Sequence, residues 1–382
     1  MSFRLCFPKI NISGAGCLSE IPAELTTHGL SRPLVVTDAM LVKAGVVAPL
    51  LSGLKAADVA PVVFDGVVPN PTVTVVEAAF ALFQENRCDS IVAVGGGSPI
   101  DTAKAVRILT ANPGPISLYE GIGKVGKDGA FLIAINTTAG TAAEVTSNAV
   151  ITDTARQVKM VIIDTHIIPD ISVNDPEMMV SVPRGTTAAT GMDALTHAIE
   201  AYVSKGAHPL TDHSALEAIR VITKHLPRAV ENGKDLAARE QMAYGEFLAG
   251  MAFNSAGLGL VHALAHQPGA VKDLPHGVCN AILLPVVEAF NRPHAVARFA
   301  RIADAMGVDI STLTEEQASL AAIDAIRALS AQVGIPKGFA ELGVTEADLA
   351  GFVPKALADP CAGGNPVSAT AAEVLELYKA AM

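Results

Sequence analysis

Residues 90–106 read SIVAVGGGSPIDTAKAV. A β-branched run, three consecutive glycines and a stretch at helical period describe a strand, a tight loop and a helix. Ser98 is a preferred N-cap and Pro99 a preferred first helical residue, so the helix is expected to open there. The N–H groups of that helix start would lie behind a loop without side chains, where phosphate is attracted.

The same alternation continues on either side. PLVVTD (33–38), PVVFDG (61–66) and FLIAINT (131–137) read as further strands, and NAVITD, KMVIID and ISVND follow up to about residue 175. Strands alternating with helical patterns indicate βαβ units and a mostly parallel sheet. Near Pro183 the texture changes. From Thr186 onward the chain reads at helical period: 186–204, 211–231, 236–268, 280–305, 314–332 and two shorter helices. The expected architecture is α/β plus all-α, with an α/β domain over 1–182 and an all-helical domain over 183–382.

Composition narrows the function. The chain has 382 residues, half of them hydrophobic and 17% charged, which suits a globule with a large core. A net charge of −11 opposes the phosphates of nucleic acid, and no Lys/Arg stripe offsets it. The five cysteines, Cys6, Cys17, Cys88, Cys279 and Cys361, form no C-x-x-C pair, which fits reduced thiols in the cytoplasm. The N-terminus MSFRLCFPKINISG lacks an apolar core and cleavage site, so no signal peptide is read. Residues 247–265, FLAGMAFNSAGLGLVHALA, are long enough to span a bilayer but lack interfacial anchors. They are read as a buried helix, and no membrane is expected as a partner.

Two neighbours strengthen the phosphate reading of Gly96, Gly97 and Ser98. A second small-residue loop, TTAGTAAEVT (137–146), follows the strand 131–137, bringing Thr137 and Thr138 to the sheet edge where open α/β sheets bind ligands. The strand 33–38 ends in Asp38, whose carboxylate suits ribose hydroxyls and repels a 2'-phosphate, favouring NAD over NADP. A helix or turn cap is the alternative role for Asp38. The glycine order departs from G-x-G-x-x-G, so the expected dinucleotide site is Rossmann-like without the usual fingerprint.

The second half carries the histidines. VHALAHQPGAVKDLPHG (261–277) holds His262, His266 and His276. HALAH has the i, i+4 spacing of a zinc protease helix, but Ala263 stands where the general base would be. Upstream, in ATGMDALTHAIEAY, Asp193 and His197 share a helical face within apolar surroundings. Alone, that pair reads as a structural Asp–His contact. Together, Asp193, His197, His262 and His276 offer one carboxylate oxygen and three imidazole nitrogens, a set suited to divalent Fe, Zn, Mn or Ni. His276 is placed in a turn after a helix.

GGGSPIDTAK, TTAGTAAEVT, GMDALTHAIEAY and AGLGLVHALAHQPGAVKDLPHGVCNAILLP resemble the iron-containing (group III) alcohol dehydrogenase family, in order along the chain. The resemblance implies a dehydroquinate synthase-like architecture: an N-terminal dinucleotide-binding domain and a C-terminal helical metal domain. It implies metal ligands Asp193, His197, His262 and His276, with Fe2+ or another divalent ion such as Zn2+. It implies NAD at Asp38, Asn70, Gly96, Gly97, Ser98, Asp101, Thr137, Thr138, Thr141, Asn148 and Lys159. His266 is implied near the metal and the nicotinamide, passing the proton or hydrogen-bonding the cofactor, and Phe253 as an aromatic wall for a small alcohol or aldehyde. A homodimer or larger homo-oligomer is also implied. A glycerol dehydrogenase-like polyol enzyme and a metallohydrolase are the competing readings.

Overall fold

The computed structural model describes residues 3–156 and 158–382. They form two compact units: 6–138 with 142–180, and 181–382 with 3–5 and 139–141. The short piece Ala139–Thr141 therefore belongs with the helices, not with the α/β unit in which the sequence reading placed it.

The α/β unit is built on strands β1 (Ile10–Ser13), β2 (Pro33–Val36), β3 (Val62–Phe64), β4 (Ser90–Gly95), β5 (Gly121–Ile122), β6 (Phe131–Asn136), β7 (Asn148–Asp153), β8 (Val158–Ile163) and β9 (Ile171–Asn174). Its main sheet is parallel throughout, in the order β1-β9-β6-β4-β2-β3. Strand side chains alternate between two cores. Leu34, Val36, Ile91, Ala93, Leu132 and Ala134 enter one, and Val35, Val92, Val94, Ile133, Ile135 and Val173 the other. Both faces are covered, which is why these strands read as continuous apolar runs. Each fully buried Val, Leu or Ile contributes about 1.5–3 kcal/mol.

Two strand expectations change. NAVITD and KMVIID are strands but leave the main sheet: β7 and β8 pair antiparallel, and β5 adds to β8 as a separate three-stranded sheet. Burial alternates along both, as in a half-covered sheet. The edge strand β1 has only four residues, too few for a period to show.

Helices of this unit are α1 (Ile21–Thr27), α2 (Ala39–Lys43), α3 (Ala48–Ala56), α4 (Val73–Glu85) and α5 (Gly97–Ala111). Gly96, not Ser98, is the N-cap of α5. Pro99 then falls in the first turn, where its missing N–H costs no intrahelical bond. Gly95 and Asn136 are register partners at the ends of β4 and β6. The glycine loop and the threonine loop therefore leave the same edge of the sheet.

The second unit comprises α6 (Arg184–Val203), α7 (Pro209–Glu231), α8 (Leu236–Ala256), α9 (Leu260–Lys272), α10 (His276–Asn291), α11 (Val296–Ala305), α12 (Glu315–Val333), α13 (Glu346–Ala358) and α14 (Ala371–Ala380). The helix expected over 236–268 is two helices, bent by 104°. Gly257, at φ +79°, supplies the left-handed residue that ends α8. No single helix among the described residues is long and apolar enough to cross a membrane, although α8 and α9 pass that test as a bent pair. The pattern at 280–305 is likewise divided, by a 3-10 turn containing Pro293.

Candidate metal centre

Three helices of the second unit bring the four candidate ligands together. Asp193 and His197 lie one turn apart on α6, His262 is in the first turn of α9, and His276 opens α10. His276 is thus a helix N-terminal residue, not part of a turn.

The start of α9 explains how His262 is held. Its N-cap is Gly259, with no side chain to receive the first N–H groups. Neighbours receive them instead: Asn365 Oδ1 accepts from Leu260 N at 3.0 Å, and Glu200 Oε1 from Val261 N at 2.6 Å and His262 N at 3.4 Å. Asn365 is itself fixed by reciprocal amide bonds with Asn291. The second oxygen of Glu200 lies 2.5 Å from His262 Nδ1. Burial, reinforced by Glu288, pushes the Glu200 carboxyl well above its ordinary pKa, while the backbone N–H bonds oppose that. Burial also drives His262 well below the usual imidazole value, with the neighbouring histidines adding to it. His262 is neutral.

With Nδ1 engaged, His262 turns Nε2 toward Asp193 and His276. Asp193 Oδ1 is 3.9 Å from His262 Nε2 and 3.6 Å from His276 Nε2. Donor atoms of these three residues lie within 4.8 Å of one another. Asn280, one turn after His276, directs Nδ2 into the group at 2.6 Å from Asp193 Oδ1, 3.1 Å from His262 Nε2 and 3.0 Å from His276 Nε2. An amide nitrogen carries two protons and cannot serve three acceptors at once. Asn280 Oδ1, meanwhile, is buried without a hydrogen-bond partner. A divalent cation would satisfy all three acceptors together, so the donor set fits a metal ion.

His197 stands differently. It is outside the three-residue group; its ring stacks on His262 with centroids 4.5 Å apart and on Phe253 at 4.3 Å. Its Nδ1 is 3.2 Å from Gly140 O, and because a carbonyl only accepts, Nδ1 carries the proton and Nε2 the lone pair. This bond helps explain why Ala139–Thr141, including Thr141, groups with the helices. Gly277 sets the approach of α10: a Cβ there would stand 2.4 Å from Ala189 O and 3.4 Å from Asp193 Cβ. His266 Nδ1 is bonded to Asp359 Oδ2 at 2.8 Å, and its ring stacks on His276 at 5.3 Å.

In the α/β unit, Asp38 caps α2, accepting from Leu41 N at 2.9 Å. Lys159 Nζ donates to Asn70 Oδ1 at 2.8 Å, joining two residues 89 apart. Thr138 N donates to Asn136 Oδ1 at 3.0 Å, and Thr137 N to Gly95 O at 3.1 Å. Asp101 Oδ2 accepts from Val150 N at 3.0 Å. Lys104, fully buried, links this region: its Nζ donates to Thr146 O, Thr146 Oγ1 and Asn148 O at 2.8, 3.1 and 2.8 Å. Burial pushes Asp101 up and Lys104 down, each opposed by the other's charge. Gly96, Gly97 and Ser98 form the start of α5.

Glu200, Asn280, Asn365, Asp359 and Lys104 were not singled out from the sequence. A signal existed for Glu200, a carboxylate in the apolar run of α6 that needs a partner, and for Asn280 at i+4 from His276.

Family models match both halves of the chain: iron-containing alcohol dehydrogenase over residues 8–176, and the C-terminal domain of the Fe-containing alcohol dehydrogenase family over 187–382. The chain is 47% identical to alcohol dehydrogenase 4 of Schizosaccharomyces pombe, over 98% of this chain and 88% of that protein. It is 44% identical to the NAD-dependent methanol dehydrogenase of Bacillus methanolicus, over 98% of each chain. The crystal structure of a 1,3-propanediol oxidoreductase superposes with a TM-score of 0.99 at 44% identity, covering 100% of both chains. With matches over both halves and relatives along its full length, this chain belongs to the iron-containing alcohol dehydrogenase family.

Proposed function

We propose that the chain interconverts a small primary alcohol and its aldehyde, with NAD as hydride carrier and a divalent ion, Fe2+ or a related ion such as Zn2+, at Asp193, His197, His262 and His276. One observation carries this reading: Asp193 Oδ1 and the Nε2 atoms of His262 and His276 converge on a point that the Asn280 amide alone cannot satisfy. When bound, the ion supplies Lewis-acid polarisation of the substrate oxygen and NAD accepts the hydride.

The chain's own residues supply orientation. Glu200 and Gly140 hold the Nδ1 protons of His262 and His197, leaving each Nε2 as a donor lone pair. Asp359 does the same for His266, which is assigned the passage of a proton at Nε2. Phe253, stacked on His197, offers an apolar wall. The N–H groups at the start of α5, at Gly97 and Ser98 behind Gly96, suit the pyrophosphate. Thr137, Thr138 and Thr141 flank the adenine and ribose, and Asp38 and Asn70 meet the ribose edge. Lys159 fixes Asn70; Asp101 and Asn148, braced through Lys104 and Val150, support the nicotinamide side.

Residues 1–182 serve as the NAD-binding domain and 183–382 as the metal and substrate domain. Free cysteines support a cytoplasmic location. The exposed Phe7 and Ile10 beside edge strand β1 support a homodimer or larger homo-oligomer. Neither nucleic acid nor membrane is a partner.

The test uses anaerobically Fe2+-loaded protein with NAD and a panel of short primary alcohols, followed by NADH absorbance. NADH is expected to form, to stop on chelation, and to form poorly with NADP. Chelator-insensitive turnover, or no NADH from any alcohol, would sink the reading.

A further inference from the structure

His266 is the imidazole of the cluster that the metal reading leaves to other work, and it sits in a second donor group. Its Nδ1 bonds to Asp359 Oδ2 at 2.8 Å, and Asp359 Oδ1 accepts from Cys361 N at 2.9 Å. Donor atoms of His266, Asp359 and Cys361 lie within 4.8 Å of one another, and all three residues are partly buried.

This arrangement is not built for a thiol nucleophile. Such a thiol needs an imidazole or a positive charge beside it to become thiolate. Here a carboxylate shares the group with the imidazole, and burial, with Asp359 and Glu200 adding, raises the thiol well above its ordinary value. A group that nothing else deprotonates is deprotonated by a metal. One nitrogen, one oxygen and one sulfur suit borderline ions and disfavour Mg2+ and Ca2+.

We propose that His266, Asp359 and Cys361 form a second cation site that takes Zn2+, or Co2+ as its surrogate. The ion bonds His266 Nδ1, an Asp359 oxygen and Cys361 Sγ, with water completing four-coordination. The thiol proton leaves to solvent, and the His266 ring proton moves from Nδ1 to Nε2.

Metal-stripped, reduced protein titrated with Co2+ without oxygen separates the two sites. Wild type is expected to take up a second equivalent and to develop a near-ultraviolet thiolate-to-cobalt charge-transfer band. The Cys361→Ala protein should bind one equivalent without the band, and Asp359→Asn should need about tenfold more Co2+ to develop it. A wild type without the band, a band persisting in Cys361→Ala, or an unchanged titration in Asp359→Asn overturns the proposal. Because Asp193, His197, His262 and His276 supply no sulfur, one equivalent bound without the band refutes only this second site. A band with the sulfur-free equivalent missing refutes only the first.

Discussion

Replacing His262 with alanine is expected to leave the chain without its divalent ion and to cut alcohol turnover by about a thousandfold or more. The magnitude follows from the several kcal/mol of charge stabilisation that a metal ion supplies, at about 1.4 kcal/mol per tenfold in rate. His262 is central because it is fixed from both ends: Nδ1 by Glu200 at 2.5 Å, Nε2 facing Asp193 and His276. Its side chain is 2% exposed, so water cannot replace it without rearrangement. His276→Ala is the companion variant, since its side chain is 36% exposed and Asp193 keeps the Asn280 amide at 2.6 Å. Glu200→Gln, which keeps the ligand but weakens its hold, should lower metal affinity by about 10–100-fold. Metal analysis after gel filtration, with circular dichroism to confirm the fold, reads all three. Full metal content in either alanine variant contradicts the assignment.

Gly277→Ala should be nearly as damaging although it removes no ligand. Its added methyl would stand 2.4 Å from Ala189 O, a backbone atom of α6 that cannot swing aside. Relief requires α10 to move away from α6, carrying His276 from Asp193. Overpacking of this kind costs about 1–3 kcal/mol, and the displaced ligand should cost a further 10–100-fold, roughly, in metal affinity. Gly351 is the control: it lies within α13 and a Cβ there meets nothing within 4 Å. Gly351→Ala should be neutral or stabilising by up to about 1 kcal/mol. Calorimetric unfolding of the metal-free variants, paired with metal titration, distinguishes packing from ligation. Equal behaviour of the two variants would show that the α6–α10 approach does not govern the site.

The main sheet was legible because its strands are buried on both faces, so Leu34–Val36, Ile91–Val94 and Leu132–Ile135 are unbroken apolar runs. Asp193, His197 and His262 stand out in the sequence as polar groups within apolar helical patterns. What the sequence hid is mostly contact between distant segments. Glu200 caps a helix 61 residues away, and Asn365 reaches Leu260 across 105. No local period records such pairs. The break at Gly257 was missed because apolar composition continues across it, while the turn is a property of φ. The Ser98 cap was misassigned because Gly96 starts the helix two residues earlier with no side-chain bond to announce it.

X-ray absorption at the iron edge of the Fe2+-loaded chain tests the central claim most directly. The account predicts a nitrogen/oxygen shell with imidazole multiple scattering in the wild type, and loss of the protein-bound iron signal in His262→Ala and His276→Ala. A sulfur scatterer in the shell of the first equivalent, or a spectrum unchanged by either substitution, would contradict it.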